Sequence, residues 1–225
     1  MSSAKDEFYC DILEGLALYT GSALQRDVLT TLSRHDEPRL GAALNKNQMA
    51  SKMWLADSLL ASAGSDFSSI LILGGWMGVL GAVLLHDPRF TIAHVLSIDV
   101  DPWCAALARS LNATHAQAGR FEAQTADMRD IDYRQRLAGN PEVDRKNLVI
   151  NTSCEHLSDF GRWYEKIPAG QLLALQSNDY YACPEHVTCV SDLATFAVTT
   201  PMREVLYSGE RPMRRYTRFM RIGRK

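Results

Sequence analysis

The chain has 225 residues, 46% of them hydrophobic and 22% charged, with a formal net charge of −2. That composition fits one large globular domain, or a domain with a small appendage, and so small a net charge gives no bulk attraction to nucleic acid or to an anionic membrane. No apolar run is long enough to cross a bilayer, and the acidic start "MSSAKDEFYCDILEG" is not that of a secretory signal.

In chain order, residues 5–34 read as helix. Phe8, Ile12, Leu13, Leu16 and Leu18 set a helical rhythm that Leu24, Val28, Leu29 and Leu32 continue after Gly21. "RHDEPRLG" breaks it with Pro38 and Gly41. A second helix follows in "NKNQMASKMWLADSLLASAGS" and stops at Gly64. From residue 69 the pattern changes to short apolar runs of the kind buried on both faces of a sheet. "SILILG" and "AHVLSID" are the first two strands, "RFEAQTAD" the third, "KNLVINTS" the fourth and "GQLLALQSN" the fifth. "GVLGAVLLHD" and "DPWCAALARSLN" are intervening helices, the latter with Asp101 as N-cap and Pro102 in its first turn. Alternating strands and helices predict a parallel, doubly wound sheet. "MREVLYSG" and "RRYTRFMRIG" are separated only by "GERP", so they are expected to close the sheet as an antiparallel hairpin.

"LILGGWMG" places a glycine cluster between the first strand and a helix, where backbone can approach a ligand at the carboxyl end of the sheet. Asp99, ending the second strand in "VLSIDVDP", is positioned to accept hydrogen bonds from a ribose diol, or else to cap the helix that follows. Asp127 in "QTADMRDID" is placed to accept from an adenine amine beside the Met128 backbone, though "ADMRD" also reads as an ordinary solvated loop.

Residues 69–225 resemble the class I S-adenosylmethionine-dependent methyltransferases in "LILGGWMG", "SID", "ADM" and the closing hairpin. The glycine loop departs from that family's acidic-x-Gly-x-Gly-x-Gly pattern: no acidic residue precedes it, and Trp76 takes a position that is commonly small. A nicotinamide-binding domain shares the glycine turn and the acidic strand end, but its Gly-x-Gly-x-x-Gly spacing is missing. The resemblance implies a Rossmann-like α/β fold with a seven-stranded, mostly parallel sheet. A helical cap over 1–65 would precede a cofactor domain over 66–225. It implies S-adenosyl-L-methionine as cofactor, held by Gly74, Gly75, Trp76, Gly78, Asp99, Asp127, Met128 and Asn151.

The polar cluster "INTSCEHL" after the fourth strand would face the methyl acceptor. His156 has the intrinsic pKa of a base near neutrality, and Glu155 could orient it or bind a cation. The blander reading makes "SCEHL" a helix start with Ser153 as its cap. Acceptor contacts are expected from Ser153, Cys154, Asn178 and Tyr180. Lys52, four residues from Gln48 on one helical face, either reaches a carboxylate or is a solvated lysine. The segment lacks the Asn/Asp-Pro-Pro-aromatic of adenine N6-methyltransferases, which favours a small-molecule acceptor.

Five scattered cysteines, Cys10, Cys104, Cys154, Cys183 and Cys189, read as reduced thiols of a cytoplasmic protein. "CPEHVTC" could hold a metal through Cys183, His186 and Cys189, but it lacks tight cysteine pairs, so no metal is expected. The basic end "RPMRRYTRFMRIGRK" either meets phosphates or protects an edge hairpin by charge, and protection is the reading adopted. No membrane partner is expected, and the oligomeric state is not legible. The alternatives are a nucleic-acid methyltransferase, an enzyme transferring the cofactor's aminocarboxypropyl group, and a cofactor-binding protein without turnover.

Overall fold

A computed structural model describes residues 4–35, 39–137 and 146–225. The break expected at Pro38 lies outside the described residues, as does the side chain of Cys10. The N-terminal third is helical: α1 (Ala4–Thr20), α2 (Ala23–Arg34), α3 (Arg39–Ala43) and α4 (Lys46–Ser62). The helix expected to run unbroken over 5–34 is divided at Gly21, which takes φ 65° while the Ser22 side chain caps α2, and Gly41, expected to break the pattern, lies inside α3. The Asn45 side chain caps α4, its Oδ1 accepting from the backbone amides of Asn47 and Gln48, and Gly64 at φ 88° follows its end.

Seven strands follow: β1 (Asp66–Leu73), β2 (Thr91–Asp99), β3 (Phe121–Thr125), β4 (Lys146–Asn151), β5 (Leu172–Asn178), β6 (Glu204–Pro212) and β7 (Thr217–Arg224). Between them lie α5 (Val79–His86), α6 (Pro102–Leu111), α7 (Ala113–Gln117), α8 (Tyr133–Arg136), α9 (Phe160–Lys166) and α10 (Leu193–Thr199). The sheet order is β3-β2-β1-β4-β5-β7-β6. The first five strands are parallel, while β7 runs antiparallel to both β5 and β6. The chain is an α/β protein with a doubly wound, Rossmann-like sheet closed by an antiparallel hairpin.

Strand pleating divides the core. Ile70, Ile72, Leu148, Ile150, Met220 and Ile222 point to the face covered by α4, α5 and α6. Leu71, Leu73, Val149, Leu173, Leu175 and Phe219 point to the face covered by α9 and α10. Burial on both faces explains why these strands are continuous apolar runs. Helix α4 belongs to the first face: Leu55, Ala56 and Leu59 are fully buried within it. Its Trp54 also donates from Nε1 to the Tyr207 hydroxyl at 3.1 Å, pinning the helix to β6.

The hairpin differs from expectation in two respects. "GERP" is strand, pairing Glu210 with Phe219 and Pro212 with Thr217, and the turn is Met213–Tyr216, closed by Met213 N donating to Tyr216 O at 2.8 Å. Pro212 is tolerated because β6 is the sheet's edge and needs no donor there. The second difference concerns the arginines. Strand β7 is interior, so Arg218 and Arg221 are buried instead of guarding an edge. Arg221 Nη1 donates to Ala197 O, Thr200 Oγ1 and Thr200 O, satisfying carbonyls at the end of α10.

Candidate cofactor and acceptor site

The winding direction of the sheet reverses between β1 and β4, and in open α/β sheets ligands occupy the crevice outside the carboxyl ends at that point. Three loops meet there. A Cβ on Gly74 would stand 3.0 Å from Ser153 Oγ and 3.6 Å from Met128 Cε, at a backbone φ of 59° that favours glycine. Asn151, fully buried at the end of β4, accepts from Ser153 N at 2.9 Å, and its Nδ2 lies 3.5 Å from Met128 Sδ. Asn151 therefore braces the crevice floor through its side chain.

The other glycines of the cluster serve the protein's own packing. A Cβ on Gly75 would fall 2.0 Å from Ser97 Oγ on β2, and one on Gly78 would meet Ala108 of α6 and Asn112 just beyond its end at 2.8 Å. Trp76 adopts φ 47°, an unusual conformation for a side chain of its size. Its half-buried indole packs against the cluster of Leu40, Ala43, Met77, Val79, Leu107 and Leu111.

The two acidic strand ends differ in what they have left to offer. Asp99 Oδ2 accepts from Trp76 N at 2.7 Å and Oδ1 from Asp101 N at 3.0 Å. One bond per oxygen leaves each a lone pair free for a donor. Asp101 is the helix cap, accepting from Trp103 N, with Arg39 at 3.2 Å on its other oxygen. Asp127 is saturated: Arg129 gives it four hydrogen bonds, from the backbone amide and the guanidinium, which hold its pKa below the ordinary value. An adenine amine could reach the Asp127 carboxylate only by displacing Arg129. The contact expected of Asp127 would therefore compete with Arg129.

Across the crevice, the ends of β4, β5 and β7 carry a buried polar network. Glu155 is 2% exposed, in a 3-10 turn (Cys154–His156). Its Oε1 accepts from Asn178 Nδ2 and from Arg218 Nη1 at 3.3 Å. Arg218 also donates to Gln176 Oε1 and Thr152 O, and Gln176 Oε1 accepts from Ser51 of α4. Lys52 lies on the same helix and donates to Gln48 Oε1 at 2.7 Å, as its spacing implied. It is not the solvated lysine of the alternative reading. Burial, and then the Arg218 charge, lower its pKa to about 7.

The ring of His156 is exposed and stands 4.7 Å from that of His186, nearly perpendicular to it. Burial of part of the His156 ring lowers its pKa, against the opposing pull of Glu155. Tyr180 packs on His186 and on Tyr216, extending an aromatic rim along the hairpin end. Cys154 lies among the core residues of the second face, its pKa well raised by burial, which takes its thiol away from the acceptor. Ser153 makes no side-chain cap bond, so the capping expectation also fails. Arg218 and Gln176 escaped the sequence reading. The usable signal was that an arginine in an interior strand must find a buried partner.

An apolar cavity of about 240 Å³ lies among α1, α2, α4, α5 and α6, lined by Leu24, Val28, Met49 and Leu111 with Gln25 as its one polar member. Without converging polar groups it is packing space. No helix among the described residues is long and apolar enough to cross a membrane.

No family model and no curated protein sequence matches the chain. Solved structures do match in fold. N-methyltransferase NodS from Bradyrhizobium japonicum WM9, in complex with S-adenosyl-L-homocysteine, is 14% identical with a TM-score of 0.57, over 89% of this chain and 96% of that one. The small RNA methyltransferase HEN1 is 16% identical with a TM-score of 0.58, over 84% of this chain and 27% of that one. The [4+2]-cyclase SpnF is 13% identical with a TM-score of 0.51, over 72% and 61%. With the observed strand order, these likenesses show that the chain has the fold of the class I S-adenosylmethionine-dependent methyltransferases.

Proposed function

We propose that the protein is an S-adenosylmethionine-dependent methyltransferase acting on a small-molecule acceptor. The observation that carries this reading is the Asp99 carboxylate, held on one oxygen by Trp76 N of the glycine turn and on the other by Asp101 N, and still able to accept from two vicinal hydroxyls. The residues present fit the cofactor. Asp99 would take its ribose, the Gly74 backbone would lie along it where a Cβ would crowd Ser153 and Met128, and Asn151 would keep those two loops in place. When bound, the cofactor supplies an electrophilic methyl group.

The chain's own groups then select and orient the acceptor. Arg218 and Lys52 are two basic side chains against the single carboxylate of Glu155, which favours an acceptor carrying an acidic group. The Tyr180, His186 and Tyr216 rings would wall its apolar part. His156 would accept the proton that a hydroxyl or ammonium acceptor must lose. The free thiols of Cys104, Cys154, Cys183 and Cys189 support a reducing compartment such as the cytoplasm.

A second reading rests on the exposed arginines Arg211, Arg214 and Arg215 around the hairpin turn, which could meet the phosphates of an RNA acceptor. Calorimetry with S-adenosylhomocysteine tests the cofactor. Incubation with S-adenosylmethionine and a metabolite extract then tests the reaction. A product heavier by one methyl group is expected, and one heavier by an aminocarboxypropyl group would replace methyl transfer. RNA binding that falls steeply with salt would favour the second reading, and absence of cofactor binding would remove both.

A further inference from the structure

Three ligating side chains converge beside the acceptor side of the crevice: a carboxylate oxygen of Glu155 and one ring nitrogen each of His156 and His186 lie within 4.8 Å of one another. We propose that Glu155, His156 and His186 form a binding site for a divalent first-row transition-metal ion such as zinc, with coordination positions left open towards the acceptor. The proposal deepens the methyltransferase reading and rests on it for the ion's role, but not for its binding.

The first support is an orphaned atom. Glu155 is almost fully buried, and its Oε1 already accepts from Asn178 and Arg218, while Oε2 has no hydrogen-bond partner. A buried carboxylate oxygen without a partner is costly, and a cation is a chemically suitable one. The second support is the state of His186. Its Nδ1 lies 3.0 Å from the Tyr180 carbonyl, which can only accept, so Nδ1 carries the proton and Nε2 keeps a lone pair. A backbone carbonyl orienting the far nitrogen is the outer-shell arrangement that metal-binding histidines use.

The third support is the scaffold. The loop carrying His186 is latched to the turn carrying the other two ligands. Val187 N and Thr188 N donate to Glu155 O at 2.8 and 3.0 Å, and Thr188 Oγ1 donates to the carbonyls of Cys154 and Leu157 at 3.0 Å each. Ligand atoms around a tetrahedral ion with bonds of about 2.1 Å stand about 3.4 Å apart. The observed span therefore calls for a contraction of at most about 1.4 Å, within reach of a side-chain rotation by the exposed His156. Two imidazoles and one carboxylate suit zinc, iron, cobalt or manganese, and three ligands leave room for another. An ion there would hold an acceptor oxygen as a Lewis acid, making His156 a ligand instead of a free base.

The neighbouring thiols offer a rival ligand set, but the Cys183 thiol donates a hydrogen bond to Glu185 and the Cys189 thiol one to Asn178 Oδ1. The test uses the whole chain, stripped with a chelator and titrated with Zn²⁺ by calorimetry and with Co²⁺ by visible absorption. One ion per chain is expected, without the intense near-ultraviolet band of cobalt–thiolate bonding. His156→Ala and His186→Ala, checked for folding by circular dichroism, should each weaken binding by more than about tenfold. The Cys183→Ser/Cys189→Ser double variant should bind as the parent does. No saturable binding by the parent, full binding by both histidine variants, or loss in the cysteine variant would overturn the site. S-adenosylhomocysteine titrated into the same preparations separates the readings: binding of the nucleoside without metal sinks only the metal site, and metal without the nucleoside sinks only the methyltransferase assignment.

Discussion

Arg218 Nη1 stands 3.3 Å from Glu155 Oε1, joining β7 to the turn after β4 across 63 residues of chain, with both side chains nearly sealed from water. A buried ion pair is a weak stabiliser against an apolar pair of the same shape, but breaking one side strands a buried charge. Arg218→Met is therefore expected to cost about 3–5 kcal/mol in urea unfolding. The double variant Arg218→Met/Glu155→Met should recover much of that loss, with a coupling energy of about 2 kcal/mol in the cycle. Simple additivity of the two single losses would show that the pair is not coupled.

Lys52 supplies a pH signature. Its native pKa is about 7, against 10.5 for a free lysine, because burial and then the Arg218 charge disfavour the ammonium form. Below about pH 7 both folded and unfolded chains hold the proton, and the full cost of burying the charge is present. Between pH 7 and 10.5 the unfolded chain binds the extra proton, so this residue makes stability rise with pH, by at most about 1.4 kcal/mol per unit. Above the upper value the effect is complete. Lys52→Met should remove that slope and be the more stable protein at neutral pH. Parallel stability–pH curves for the two proteins would refute the shift.

The strands were legible because burial on both faces writes itself as unbroken apolar runs such as "SILIL" and "LLAL". The cap of Asp101 was equally plain, whereas those of Ser22 and Asn45 were not singled out in the sequence. The hairpin turn was misplaced because an edge strand such as β6 needs no apolar pattern, and "GERP" looks like a turn when its pairing partner is unknown. Arg218 was misread for a related reason. Composition shows that β7 is basic, but only the sheet order shows that it is inserted between β5 and β6, where its charge must face a buried carboxylate. The glycine loop was located correctly from its strand–helix context. Its reason was only partly legible, since the contacts of Gly75 with Ser97 and of Gly78 with α6 depend on distant residues.

Gly75 offers a test of that reassignment. Its Cβ would overlap Ser97 Oγ at 2.0 Å, and the obstacle is a short side chain on a buried strand, which cannot swing far away. Gly75→Ala should lose about 1–3 kcal/mol of stability through overpacking, even without any ligand. Adding Ser97→Gly opens the space, so the double variant should be more stable than Gly75→Ala alone in thermal unfolding. If the second change only adds its own loss, the loop is not packed on β2 as described.

Asp99 ends β2 and Asp127 lies two residues beyond the end of β3, and their unequal saturation predicts unequal importance. Asp99 keeps an acceptor site on each oxygen, so Asp99→Ala should weaken S-adenosylhomocysteine binding by more than about tenfold in calorimetry, in line with the loss of two charge-assisted bonds. The carboxylate also holds Trp76 N and Asp101 N, so some stability is lost as well. Asp99→Asn, which keeps one acceptor oxygen and supplies an amide, separates the two effects by retaining more of the fold than of the affinity. Asp127 already spends its acceptor capacity on Arg129. Asp127→Asn should therefore change affinity by less than about threefold, within the range of a lost exposed ion pair. Equal losses at the two positions would mean that Arg129 swings aside on binding and that the Asp127 carboxylate meets the adenine after all.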